Sequence, residues 1–113
     1  MSTRIIHNGS TEAPNIFLLA HGAGAGIHTD FMTAIAESCA GPQIEVIRFE
    51  FPYMTLQRTH GKKKAPNPQK KLIETFENEL GQLRSANIFI GGKSMGGRIA
   101  SMIADAQKVS GLI

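Results

Sequence analysis

Disulfide chemistry, tryptophan and long apolar runs are missing or nearly so from this chain. It has one cysteine, no tryptophan and one tyrosine in 113 residues. A lone thiol, Cys39, makes no internal disulfide, which excludes a disulfide-stapled secreted scaffold and makes the cytoplasm the expected compartment. No stretch approaches the roughly 20 apolar residues of a membrane span, so no membrane partner is expected. Met1 to Ser10 carries Arg4 and His7 but no apolar core, which argues against a secretory leader. Charged residues make up only 19% against 42% hydrophobic, with a mean hydropathy of −0.09. That balance describes globular rather than disordered material. The length allows one small domain, 1–113.

Carboxylates are absent over one particular stretch. Arg58, Lys62, Lys63, Lys64, Lys70 and Lys71 fall within 58–71, and the next acid is Glu74. These six cations exceed the net charge of +3, so the remainder of the chain is net acidic. The plain reading is a solvated loop leading into a helix. The sharper one is a patch for anionic substrates, acidic proteins or nucleic acid.

What is present is a repeated alternation of buried-strand and helix patterns. Asn15 to Ala20 is a continuous apolar run of the kind buried on both faces in a parallel sheet. A helix is expected from an Asp30 cap through Cys39, stopped by Gly41-Pro42. Ile44 to Phe51 reads as a second strand closed by Pro52, followed by a loop of about fifteen residues, long enough to be functional or mobile. Asn67-Pro68 then opens a helix with Leu72, Ile73, Phe76, Leu80 and Leu83 inward and Glu74, Glu77 and Glu79 outward. Asn87 to Ile90 is a third strand. The helix after it places Met95, Ile99, Met102 and Ile103 on one face, and Val109 to Ile113 begins a further strand. The order implies an α/β fold, a mainly parallel sheet with helices on both faces.

Two glycine-rich turns interrupt this pattern. His21-Gly22-Ala23-Gly24-Ala25-Gly26 follows the first strand, but Ile27 stands where a dinucleotide fingerprint needs its third glycine. Gly92-Lys93-Ser94 ends like a phosphate loop, yet Asn87 occupies the first glycine position. Gly92-Lys93-Ser94-Met95-Gly96 does satisfy G-x-S-x-G, directly between a strand and an amphipathic helix, the context of a nucleophile elbow. The plain alternative is a serine capping the helix. Glycine at 92 and 96 suits the close approach of strand and helix that the elbow needs. Ser94 then stands at a helix N-terminus, where free N–H groups favour developing negative charge. An acyl-transfer serine needs two oxyanion donors, and Met95 N–H and Ala23 N–H are the candidates, with Gly22 as fallback. His21 is expected to fix its loop by hydrogen bonding, beside Gly22 and Gly24, rather than to act as a base. His28 and His60 read as surface residues.

Four segments in order resemble one branch of the α/β-hydrolases: Leu18 to Ala25, Arg48 to Met54, Gly61 to Lys64 with Pro66, and Gly91 to Arg98. It is the dienelactone-hydrolase-like branch, whose α/β-hydrolase-like domain also occurs in a subunit of the non-specific lethal chromatin complex and in a testis-expressed protein. The resemblance runs from about Ile5 to Ile113. It implies a serine hydrolase with Ser94 as nucleophile, Ala23 and Met95 as oxyanion donors, and no cofactor or metal.

A base and an acid are missing from the expected place. In this fold they follow the nucleophile, yet no histidine follows Ser94 and Asp105 is the one later carboxylate. Eleven residues along a helix put Asp105 about 16 Å away. A complete sheet of this family has about eight strands and roughly 200 residues, so the chain is expected to be an N-terminal half: truncated, incomplete, or completed by another chain. The expected partners are a small acyl substrate and a second half-domain or second copy on the exposed sheet edge; the elbow weighs against nucleic acid. The alternative function is a non-catalytic module binding protein or nucleic acid through 58–71.

Overall fold

Alternation along one central strand decides the layering. In β2 (Asn15–Ala20), Ile16, Leu18 and Ala20 enter one apolar cluster, while Phe17 and Leu19 enter another. Successive side chains of a strand point to opposite faces, so a run apolar at every position must be covered on both. The computed structural model describes residues 4–113, so residues 1–3 of the expected leaderless start and 1–113 domain lie outside what is described.

Four further strands complete the sheet: β1 (Ile5–Asn8), β3 (Ile44–Phe49), β4 (Asn87–Gly92) and β5 (Gly111–Leu112). Their order is β1-β3-β2-β4-β5; β1 runs antiparallel to β3 and every other pair is parallel. Helix α1 (Asp30–Cys39) covers one face through Met32 and Ala36. Three helices cover the other: α2 (Pro52–His60) through Tyr53 and Met54, α3 (Gln69–Gly81) through Leu72 and Phe76, and α4 (Met95–Gln107) through Ile99 and Ile103. Phe49, Phe51 and Phe76 meet edge to face, with centroids 5.2 and 4.9 Å apart for the two pairs Phe49 makes. The arrangement is the mainly parallel α/β sheet with helices on both faces. No described helix is long and apolar enough to cross a membrane.

The structure departs from the sequence pattern in several places. Most of the expected fifteen-residue loop is helix α2. Pro52, which ends the strand, also suits the first helical position, and Gly61 closes the helix in the left-handed conformation at φ 76°. Thr29, not Asp30, caps α1, its hydroxyl accepting from Met32 N–H at 3.3 Å. Asn67 does not cap α3; its side chain instead accepts from Tyr53 N–H at 2.9 Å. Glu79 does not face outward: it is buried and paired with Arg4 at 2.9 Å. Met102 does not join the inward face of α4 and is half exposed. Strand β1 is too short to show a period, and β3 ends at Phe49 rather than Phe51.

The register levels the strand ends. Ala20 of β2 lies beside Phe49 of β3 and beside Gly92 of β4. The loops leaving these three parallel strands therefore emerge together at one rim, where open α/β sheets place their ligands.

Candidate active site

Two loops leave that rim in contact. Lys93 N–H donates to Ala20 O at 3.0 Å, tying the start of the second loop to the end of β2. A Cβ placed on Gly22 would lie 3.3 Å from Lys93 O and 3.7 Å from Ser94 Cβ. The backbone at Gly22 thus runs directly against Ser94.

The turn at Ser94 closes only because glycine stands on either side. A Cβ on Gly92 would fall 2.5 Å from the Gly96 carbonyl carbon and 2.7 Å from Gly97 N. A Cβ on Gly96 would collide with the His21 carbonyl and lie 2.8 Å from Ala20 Cβ. Ser94 itself sits at φ 52°, ψ −111°, a region that residues other than glycine rarely enter. It occupies the position that would cap α4, yet its hydroxyl makes no capping hydrogen bond and the residue is exposed. A serine kept for capping adopts extended backbone and bonds the second or third helical N–H; Ser94 does neither. Met95 N–H is the first of the helix donors that lack a partner inside the helix.

The first loop is held from behind. His21 is fully buried, with Nδ1 2.7 Å from Gly22 O and Nε2 accepting from Phe51 N–H at 3.0 Å. These contacts define a neutral imidazole protonated on Nδ1, and burial holds its pKa below the ordinary value against the opposing pull of the Gly22 carbonyl and Glu50. Tyr53 Oη lies 3.1 Å from Gly22 O and 2.8 Å from Ala23 O, and burial pushes its pKa up to about 12. Both groups hold the Gly22 carbonyl. In a trans peptide the following N–H points the opposite way, so Ala23 N–H is turned from His21 and Tyr53. Gly24, further along the loop, has open space where a Cβ would stand.

The remaining candidates are spread out. Lys93 Nζ sits 5.4 Å over the Phe31 ring, drawn toward α1. Asp105 lies in the last turn of α4, its carbonyl accepting from Lys108 N–H. His28 is exposed, 3.8 Å from Glu50, and His60 is exposed at the end of α2. Among the described residues no group of three His, Cys, Asp or Glu side chains could hold a metal ion. The sequence pattern gave Tyr53 no role of its own and Asn67 only that of opening α3. The signal was there: the one tyrosine of a small chain, next to Pro52, needs a partner for its hydroxyl once buried.

Arg48 closes the far end of the glycine-rich loop. Its Nη1 donates to Ile27 O at 2.8 Å and Thr33 Oγ1 at 3.0 Å, and its Nη2 to Asn8 Oδ1 at 2.8 Å. One buried guanidinium therefore ties the loop to α1 and to β1.

A search of curated proteins returned no match. A crystal structure of a Rickettsia typhi protein described as a candidate hydrolase superposes with a TM-score of 0.67 at 23% identity. The match covers 90% of this chain and 35% of that one, so the chain spans about a third of its neighbour and shares its fold. The model of the α/β hydrolase domain family matches residues 13–113, the whole rim and both loops included. With that match across most of its length, the chain belongs to the α/β hydrolase domain family.

Proposed function

We propose that this chain is the nucleophile-bearing part of a serine hydrolase acting on an ester, thioester or similar acyl substrate. Ser94 Oγ adds to the acyl carbon while its proton passes to a base outside the chain. The oxygen of the tetrahedral adduct takes hydrogen bonds from Ala23 N–H and Met95 N–H. The alcohol or thiol then leaves with a proton, and water releases the acyl group from Ser94. The four motifs that resemble the dienelactone-hydrolase-like branch make it the branch we assign. The base and acid lie outside this chain, and a second half-domain or a second copy covers the sheet edge at β5.

The observation that carries this reading is the conformation of Ser94: exposed, at φ 52°, and at a helix start without capping it. Strain of this kind costs about 1–3 kcal/mol and clusters where function needs it. The alternative, a non-catalytic module binding through 58–71, has the exposure of Lys62, Lys63 and Lys64 in its favour. It leaves the strained serine without a use.

Fluorophosphonate labelling of the complete protein is the test. Ser94→Ala is expected to abolish labelling; a variant that labels as well as the parent removes Ser94 as nucleophile.

A further inference from the structure

Between the glycine-rich loop and α2 the structure opens a cavity of about 630 Å³. Gly24, Gly26, His28, Glu50, Arg58 and Lys63 are among its walls. It adjoins the serine loop. Gly24 is two residues beyond Gly22, so their Cα atoms are at most about 7.6 Å apart, and Gly22 abuts Ser94.

The cavity is built around a buried carboxylate. The Glu50 side chain is 1% exposed and accepts from Arg58 Nε at 2.7 Å and Nη2 at 2.9 Å, and from Thr55 Oγ1 at 2.9 Å. Burying a carboxylate is costly unless it is fully paired, and here the pairing fixes a guanidinium on the cavity wall. Two of the five N–H donors of Arg58 go to Glu50, and its side chain is still 21% exposed. Lys63 stands exposed on the 61–68 loop, and His28 also borders the cavity. Glu50 is the sole carboxylate among the lining residues, and its charge is already met by Arg58. The wall is therefore cationic toward an incoming group.

We propose that this cavity is an anion subsite of the same active site, taking a carboxylate or phosphate carried by the acyl substrate, with Arg58 and Lys63 as its cationic contacts. The substrate class is then an acyl compound bearing a second, negatively charged oxygen group a few bonds from the scissile carbonyl. This inference rests on the hydrolase reading of Ser94.

The test compares mono-4-nitrophenyl glutarate with 4-nitrophenyl butyrate on the complete protein. The charged ester is expected to have the higher kcat/KM, and Lys63→Ala to lower the ratio of the two values about tenfold, as does Arg58→Gln. Lys70→Ala, on the exposed start of α3, keeps the parent ratio. A ratio unchanged in Lys63→Ala overturns the subsite, whether or not Arg58→Gln folds with Glu50 left unpaired. A second readout is independent of turnover: the His28 imidazole resonances of the Ser94→Ala protein, titrated in separate arms with glutarate and with inorganic phosphate. Saturable shifts with either anion, lost in the Lys63→Ala background, support the subsite and say which oxyacid it prefers. No saturable shift with either overturns it. If neither ester turns over and Ser94 does not label, the hydrolase reading falls, and the titration still decides the subsite.

Discussion

The hydroxyl of Tyr53 lies 2.8 Å from the carbonyl oxygen of Ala23, across thirty residues of sequence. Helix α2 thereby grips the loop that faces Ser94, and the grip is reinforced by Asn67, which accepts from Tyr53 N–H. Removing the hydroxyl while keeping the ring isolates this contact. Tyr53→Phe is expected to cost about 1–2 kcal/mol and to slow fluorophosphonate labelling of Ser94 at least tenfold. Thermal melts and labelling time courses measure the two effects. Labelling at the parent rate would show that His21 and Arg48 hold the loop without the Tyr53 hydroxyl.

Gly96 is the tightest point of the serine turn, because the groups facing a new Cβ are backbone and the Ala20 methyl rather than a mobile side-chain tip. Gly96→Ala is expected to lower stability by about 1–3 kcal/mol or more, the range for forced overpacking. Gly24→Ala meets nothing within 4 Å and serves as the contrasting variant. Denaturant midpoints of the two should differ clearly; equal midpoints would mean that the turn relaxes freely.

Ser94 carries backbone strain that glycine does not feel. At φ 52°, ψ −111°, Ser94→Gly is expected to raise unfolding free energy by about 1 kcal/mol, since the released strain exceeds the extra chain entropy of glycine. Labelling disappears in the same variant. Stabilisation with loss of reactivity, read by chemical denaturation beside the labelling assay, is the signature of strain kept for function. A less stable Ser94→Gly would remove the strain argument.

His21 gives the protein a pH dependence with a definite sign. Burial lowers its folded pKa below 6.5, so the unfolded chain binds the proton first as pH falls. Its stabilising contribution is complete above pH 6.5 and is lost as pH drops from there toward the folded value. The Tm of the parent should fall between pH 7 and 5, and His21→Gln should start lower and fall less over that window. Parallel curves would assign the acid sensitivity to other groups.

Much of this was legible along the chain because it is local. The runs at Ile16 to Ala20, Val46 to Phe49 and Ile88 to Ile90 are apolar at nearly every position, which a sheet covered on both faces demands. The spacing of Gly92, Ser94 and Gly96 is likewise a five-residue property, dictated by how closely a strand and a helix can meet. Helix α2 was not legible: nine residues with Thr, Gln, Arg and His at the surface carry a weak period, and Tyr53 and Met54 are inward only because β2, β3 and the glycine-rich loop form their pocket. Glu79 fails because its charge argues for solvent although it stands seven residues after Leu72 and three after Phe76, on the inward face, where Arg4, seventy-five positions earlier, pairs with it.

Pattern and spacing thus determine that there is a parallel α/β sheet and that Ser94 stands at a tight turn before a helix, since both follow from side chains a few positions apart. Tertiary structure alone decides that Ala20, Phe49 and Gly92 finish at one level, that Gly22 reaches Ser94, and that Glu50 aims Arg58 into a cavity beside them. Those relations depend on strand register and on contacts closed over long loops, and no short window of residues contains them.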